Sequence, residues 1–298
     1  RGGRHDSASY WRWSLVELSQ GTASRRDGVS FAEELKLRRE CSVLIQEAQE
    51  LLEVSPVTYA TAVTYCNRYF LHHSLRDKGV PHLLVATCCV YLACKVDEQP
   101  KPLHAVMRVC ARLRHRAQPA LAARLQSDPE EYRKEREALL RGEVEVLKAL
   151  GFDLHITHPH KHLLAMLSWV NEVATRQGLE EVSRRVTPLG NLAFRLLSDS
   201  FHTLVCLQHT PEAVAAAMLE LAAMLLGVEL PVDNGRRFYE RVSVDDDTHR
   251  VSPDDMEDIG HQLLDVAEER AAREQGRPGV VGLATAAAAA AQMVLANV

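Results

Sequence analysis

The sequence contains few aromatic residues and lacks the short motifs that mark most enzymes. Phe, Trp and Tyr together make up 5% of its 298 residues. It has no glycine-rich phosphate loop, dinucleotide fingerprint, serine-hydrolase elbow or zinc-protease helix motif. We also find no acid and base, or nucleophile and base, at a catalytic spacing. The sequence therefore shows no catalytic or cofactor-binding motif, and no cofactor is predicted.

An excess of positive charge and a set of metal ligands are also missing. The formal net charge is −5, which does not favour binding to nucleic acid or to an anionic membrane. The seven cysteines form no C-x-x-C pair, which is typical of reduced thiols in a cytosolic or nuclear protein. Histidines cluster at His155, His158, His160 and His162, but no cysteine or second histidine pair stands nearby at ligand spacing. We therefore predict no metal site.

A long hydrophobic run occurs only near the end of the chain. Residues 280–298 are almost uncharged but consist mostly of alanine, which contributes little to membrane insertion. This stretch is interpreted as a low-complexity tail, so no membrane contact is predicted. The chain begins at Arg1 rather than Met, so we expect a fragment or a processed chain without a secretory leader.

What the sequence does contain is helical periodicity, which dominates residues 31–269. Ser30 with Glu33 forms a capping box before an apolar stripe, and Ser55-Pro56 supplies the start of the next helix. The segment Leu83–Cys94 is apolar nearly all round, which predicts a helix that its neighbours bury on most sides. The pattern predicts an all-α protein.

An internal repeat indicates two similar bundles. The apolar segment that begins at Pro211 resembles the segment Pro81–Lys95 at a constant offset of 130 residues. We predict two five-helix bundles, with a charged connection at 112–130 and Gly151 as the C-cap of the fifth helix. The predicted divisions are an N-terminal segment with short helices at 1–29, a first bundle at 30–154, a second bundle at 155–270 and a disordered or weakly helical tail at 271–298.

Two charged residues of the first bundle do not fit their surroundings. Lys95 ends the buried third helix, but its counterpart in the repeat is Leu225, so the scaffold needs no cation there. Glu143 interrupts an apolar helical stripe, and the adjacent Gly142 suggests the close approach of another backbone. Two interpretations stay open: the charges form an internal pair, or they line a surface on which another protein docks.

A local run of positive charge follows the third helix. It could contact phosphates or an acidic partner, although a solvated helix face is the more common origin of such a run. No aromatic residue alternates with the cations, which weakens the case for single-stranded nucleic acid. The run comprises Lys101, Arg108, Arg112, Arg114 and Arg116.

Two segments of the first bundle resemble the cyclin family. The string L-A-C-K-V-D-E-Q-P-K at Leu92–Lys101 resembles the cyclin signature, and E-V-E-V-L-K-A-L-G-F-D-L at Glu143–Leu154 resembles the end of the fifth cyclin helix. The resemblance covers about residues 10–268.

Shorter strings resemble the T-type transcriptional cyclins. They are the Y-W-R-W-S string at 10–14, S-R-R-D-G-V at 24–29, D-E-Q-P-K at 97–101, H-P-H-K-H at 158–162 and L-Q-H-T-P at 207–211. One position differs, since Phe238-Tyr239 stands where the family has paired tryptophans.

The resemblance implies a function that the residues alone do not establish. A T-type cyclin has two tandem cyclin boxes and no active site. It binds and activates a cyclin-dependent kinase as a heterodimer, and acts in the nucleus in RNA polymerase II transcription elongation. The family residues that match Lys95, Glu143 and Phe152 contact the kinase. Alternatives are a K-, L- or C-type cyclin with a different kinase, a cyclin-fold general transcription factor that binds DNA, and an all-helical enzyme.

Overall fold

The computed structural model of the protein describes residues 10–76, 80–241 and 251–274, and this part of the chain is helical. Its only β-type pairing is an isolated bridge between Asp233 and Arg236. The prediction of an all-α fold is therefore confirmed. The chain divides into two compact units, Arg1–Ile156 and Thr157–Val298. Within the described ranges, no helix combines the length and the apolar character that crossing a bilayer requires.

Among the described residues of the first unit, two short helices precede six longer ones. The helices of this unit are α1 (Leu15–Gln20), α2 (Ala23–Arg26), α3 (Phe31–Leu52), α4 (Pro56–His72), α5 (His82–Val96), α6 (Leu103–Arg114), α7 (Pro119–Ser127) and α8 (Pro129–Ala149). The short N-terminal helices agree with the segment predicted before residue 30.

Side-chain caps fix the starts of the long helices where the sequence predicts them. The Ser30 hydroxyl accepts a hydrogen bond from the Glu33 amide at the start of α3, and Ser55 caps α4 in the same way. The reciprocal half of the predicted capping box is not formed, because the Glu33 carboxylate instead binds Arg76. A long-range ion pair therefore replaces a local contact.

Helix α5 is the central helix of the first unit. It packs against α3, α4, α6 and α8, and Leu84–Val90 and Leu92–Cys94 are buried. This confirms the prediction from its apolar sequence, since a helix without a polar face must be surrounded. Its last turn brings Lys95 to the surface.

The connection predicted at 112–130 is wrong in part. Helix α6 continues to Arg114, and a further helix, α7, occupies Pro119–Ser127 and packs on α6 and α8. Pro119 is the first residue of α7, a position that needs no amide hydrogen. The proline therefore begins a helix where the sequence pattern indicated a break, and this bundle has six main helices rather than five.

The second unit repeats the plan around a second apolar helix. Its helices are α9 (Pro159–Arg176), α10 (Glu180–Ser200), α11 (Val205–Gln208), α12 (Pro211–Leu226), a 3₁₀ turn (Phe238–Arg241) and α13 (Pro253–Glu274). Helix α12, the counterpart of α5, packs against α9, α10 and α13. Phe238 and Tyr239 are buried with their rings edge to face, so this pair fills core volume.

The last helix of the described residues extends into the segment that the sequence predicts as a disordered or weakly helical tail. Helix α13 runs to Glu274, past the boundary predicted at residue 271. The remainder of the predicted tail, residues 275–298, lies outside the described residues.

Candidate functional site

The two charged residues that do not fit their sequence surroundings, Lys95 and Glu143, are in contact in the structure. Lys95, in the last turn of α5, forms an ion pair with Glu143 in the C-terminal half of α8. The internal pair that the sequence left as one interpretation is therefore present in the isolated chain. Its presence leaves the second interpretation, a docking surface, open.

The pair is asymmetric in its exposure to solvent. The Lys95 side chain is 41% exposed, whereas that of Glu143 is 8% exposed. The Lys95 ammonium also lies 4.5 Å from the centre of the Tyr91 ring, one turn earlier on α5. The buried carboxylate thus has its compensating charge, and the cation remains at the surface.

A close contact between α5 and α8 fixes the position of Glu143. A Cβ atom placed on Gly142 would lie 2.6 Å from the Cys88 sulfur, well inside van der Waals contact. The Cys88 thiol lies 3.5 Å from the Leu139 carbonyl oxygen, one turn earlier on α8. The glycine was predicted to admit a neighbouring backbone, but the neighbour is this side chain. Burial raises the pKa of Cys88 to about 12, so the thiol stays neutral beside the carboxylate.

Phe152 follows α8 and is the most exposed large apolar residue of the described chain. It is 68% exposed, and its φ angle is +59°. Gly151 has the same φ of +59°, as a C-cap glycine should, but a phenylalanine in this region is strained. Phe152 lies nine residues after Glu143, and the helical residues between them span about 10 Å at 1.5 Å each. Phe152 thus lies just beyond the C-terminal end of α8, about two helical turns past Glu143.

Two remote side chains hold the segment that follows Phe152. The Trp11 indole N–H donates to the Asp153 carboxylate at 3.1 Å, and the Tyr65 hydroxyl donates to the Leu154 carbonyl oxygen at 2.7 Å. Burial, with a further contribution from the Asp97 carboxylate, raises the pKa of Tyr65, so the phenol stays protonated and remains a donor. Neither contact could be predicted from the sequence, because no local pattern links partners 142 and 89 residues apart.

The D-E-Q-P-K string at 97–101 makes structural contacts near the site. The Gln99 side-chain oxygen accepts a hydrogen bond from the Ser55 amide at 2.9 Å, at the start of α4. The Lys101 ammonium donates to the Glu53 carbonyl oxygen at 3.4 Å. This segment therefore joins the end of α5 to the turn between α3 and α4, which fixes the helix end that carries Lys95.

The run of positive charge that follows α5 is partly neutralised by acidic residues of the first unit. Arg114 pairs with Glu135, and Arg116 pairs with Glu47. Among the ranges that the structure describes, no group of three or more histidine, cysteine or acidic residues has the arrangement of a metal site.

The chain is similar in sequence to proteins of one family. Residues 14–155 match the family model described as the cyclin N-terminal domain. The chain is 31% identical to Cyclin-T1-3 of Oryza sativa subsp. japonica over 261 residues, which are 87% of the chain and 48% of the rice protein. It is 30% identical to Cyclin-T1-4 of Arabidopsis thaliana over 268 residues, 89% of the chain and 45% of that protein. Human Cyclin-T2 is 28% identical over 267 residues, 88% of the chain and 33% of that protein.

Solved structures share the fold at lower identity. A chain of the yeast RNA Pol II CTD kinase CTDK-1 complex aligns with a TM-score of 0.58 and 16% identity, over 86% of this chain and 72% of that one. A chain of the CAK complex from Chaetomium thermophilum bound to ATP-gamma-S aligns with a TM-score of 0.55 and 18% identity, over 94% and 96%. The chain spans about half or less of the length of the curated relatives cited above.

Proposed function

Because the chain belongs to the cyclin family, and its relatives include cyclins of T type, we propose that it is a regulatory subunit of a cyclin-dependent kinase. On this proposal it forms a heterodimer with the kinase in the nucleus and supports RNA polymerase II transcription elongation. Residues 30–154 and 155–270 are its two cyclin boxes. The kinase supplies all of the catalytic groups.

The observation that carries the proposal is the half-exposed Lys95 above a buried Glu143. The scaffold does not require this pair, because Leu225 occupies the equivalent place in the second unit. A lysine ammonium has three donors, so one can serve Glu143 while the others reach backbone carbonyl groups of a partner. Together with the exposed ring of Phe152, the pair offers a charged contact and an apolar anchor at one end of α8.

The proposed mechanism is conformational. Docking of the first unit holds the kinase C-helix inward, so that the glutamate of that helix pairs with the ATP-binding lysine. A shift of the kinase from mostly inactive to mostly active requires about 5 kcal/mol of differential binding. An interface of about 1,600 Å² with a few buried anchors can provide that free energy.

Reconstitution with purified kinases tests the proposal. The chain is mixed with an elongation-type cyclin-dependent kinase, or with the partners of K-, L- and C-type cyclins, and phosphorylation of polymerase C-terminal repeat peptides is measured. We expect the elongation-type kinase to be activated most strongly. Stronger activation of another kinase would assign the chain to a different type of transcriptional cyclin, and activation of none would contradict the proposal.

Variants of the ion pair test the docking site. We expect Lys95→Ala and Glu143→Ala each to weaken kinase binding by about 2–5 kcal/mol, the loss typical of a buried, hydrogen-bonded charge at an interface. Lys95→Ala should also lower the thermal midpoint more than Glu143→Ala, because it leaves a buried carboxylate without a counter-charge.

A matched control lies two residues away on the same helix. Glu145 forms a solvent-exposed pair with Lys148, so Glu145→Ala removes a carboxylate from α8 without touching the proposed site. The kinase affinity and the thermal midpoint of Glu145→Ala should stay close to those of the parent. Full activation by folded Lys95→Ala and Glu143→Ala variants would refute the docking site.

The DNA-binding alternative is tested separately. Titration of labelled duplex DNA at physiological salt should give only non-specific affinity, weaker than about 10⁻⁴ M, because the net charge is negative. Sequence-dependent nanomolar binding would favour a cyclin-fold general transcription factor.

A further inference from the structure

The backbone at Phe152 is strained, and the amide hydrogen bonds that hold it reach only residues close in sequence. The Phe152 amide donates to the Leu147 carbonyl oxygen and the Asp153 amide to that of Leu150, each at 3.0 Å. The first bond reaches back to the last turn of α8, and the second joins two residues just beyond the end of that helix. A non-glycine residue at positive φ persists only where its surroundings enforce that conformation. The support must therefore come from outside this helix, and the residues that supply it control where the Phe152 ring is presented.

From these contacts we infer that Trp11 is a positioning residue of the kinase-docking site, which acts through Asp153 on Phe152. The inference rests on the proposed function and extends the docking site to the N-terminal segment of the chain. Trp11 does not itself touch the kinase in this account. It fixes Asp153, and the Asp153 backbone fixes the exposed ring one residue earlier.

Trp11 is well placed for this role. It is 5% exposed, and the Arg68 guanidinium lies over its ring at 4.9 Å, so the indole is held from both its face and its edge. Its N–H group can only donate, and the Asp153 carboxylate, which is half-buried, accepts at 3.1 Å. A hydrogen bond to a charged acceptor is among the stronger ones available to a side chain.

The neighbouring Trp13 provides a contrast within the same segment. Its ring lies against that of His72, at 5.8 Å between centres and near a right angle. Trp11 also lies near the His72 ring, at 6.1 Å between centres, so both tryptophans pack on the end of α4. Trp11 differs in that it also donates to Asp153 in the segment after α8. Replacement of each tryptophan by phenylalanine separates a general loss of aromatic packing from the loss of the Asp153 contact.

Substitution at Asp153 tests the inference with little risk to folding, because this residue is only half-buried. Asp153→Ala removes the acceptor, and kinase affinity should fall about tenfold, the effect of losing one such hydrogen bond. Asp153→Asn retains an acceptor oxygen, so it should weaken kinase binding by less than about threefold, which is half of the tenfold loss on a logarithmic scale. Trp11→Phe should resemble Asp153→Ala, and Trp13→Phe should bind like the parent.

A double-mutant cycle shows whether the effect passes through Phe152. In a Phe152→Ala background, Asp153→Ala should weaken kinase binding no further, because the ring that it positions is gone. Additive losses would overturn the inference. If Phe152→Ala weakens binding and Asp153→Ala does not, the inference is also overturned while the docking site stands. If Phe152→Ala binds fully, the docking role of Phe152 and the inference fall together.

Hydrogen exchange in the free chain provides a measurement that does not involve the kinase. The Phe152 and Asp153 amides should exchange about tenfold faster in Asp153→Ala and Trp11→Phe, and at the parental rate in Trp13→Phe. Unchanged exchange at these two amides would overturn the positioning role even if kinase binding fell. Faster exchange in a chain that binds no kinase would support the positioning role and contradict the proposed function alone.

Discussion

Gly142 is the position at which helix propensity and packing make opposite predictions. A Gly→Ala change inside a helix normally stabilises it by about 1 kcal/mol. Here the new methyl group would lie 2.6 Å from the Cys88 sulfur, so one of the two atoms must move by about 1 Å. Cys88 is fully buried, and overpacking of a close-packed core costs about 1–3 kcal/mol. We therefore expect Gly142→Ala to destabilise the first unit by about 1 kcal/mol net, within a range of about 0–2 kcal/mol.

The compensating change is Cys88→Ala, which removes the sulfur that blocks the new methyl group. Alone it should cost about 1 kcal/mol in lost burial and packing. In the double variant the methyl group added at position 142 fills the space left by the sulfur, and stability should return close to that of the parent. The two changes should therefore be coupled by about 1–3 kcal/mol.

Hydrogen exchange of amides in α8 measures the effect, because it reports on the first unit without requiring the whole chain to unfold in one step. Gly260→Ala in α13 is the control, since the nearest atom to its added methyl group is Leu221 Cδ2 at 3.9 Å, an ordinary contact. That change should slow exchange in α13, as expected for a gain of about 1 kcal/mol. A stabilised Gly142→Ala, or strict additivity with Cys88→Ala, would refute the packing account.

Two further predictions concern titration and reactivity. Burial lowers the pKa of His160, so the unfolded chain binds more protons and the second unit should lose stability as the pH falls through about 6.5. His160→Phe retains the stacking on Phe194 and should reduce the drop in thermal midpoint between pH 7.5 and 5.5, whereas an unchanged drop would exclude His160 as its source. Among the seven thiols, Cys206 should be alkylated fastest by iodoacetamide in the native protein, because the other six are buried. Equal rates measured by mass spectrometry would contradict that burial pattern.

The features that sequence could predict are those with a local cause. The start of α3 follows from the Ser30 hydroxyl, and the end of α8 follows from Gly151 at positive φ. The buried α5 follows from the absence of a polar face. Each of these depends on residues within about one helical turn of one another.

The candidate site could be predicted only in part, for the same reason. Lys95 and Glu143 could be identified because each conflicts with its local pattern. The cation at Lys95 has no counterpart in the internal repeat, and Glu143 places a charge in an apolar stripe. Nothing local marks Trp11 or Tyr65 as anchors of the segment after α8, since their partners become neighbours only when the bundle closes. Helix α7 was missed because a proline serves equally as a helix breaker and as a first helical residue.

The unequal burial of the ion pair would let one contact serve both the free chain and the proposed complex with a kinase. Glu143 loses its hydration when the chain folds, and Lys95 compensates it there, so binding of a kinase need not desolvate the carboxylate again. The part that remains to be desolvated is the ammonium, which is half-exposed and already rests against the Tyr91 ring. A preorganised cation of this kind loses less conformational entropy on binding than a free surface lysine. The arrangement therefore favours a contact formed by adding acceptors to Lys95, and a partner that instead took Lys95 away from Glu143 would leave a buried charge uncompensated.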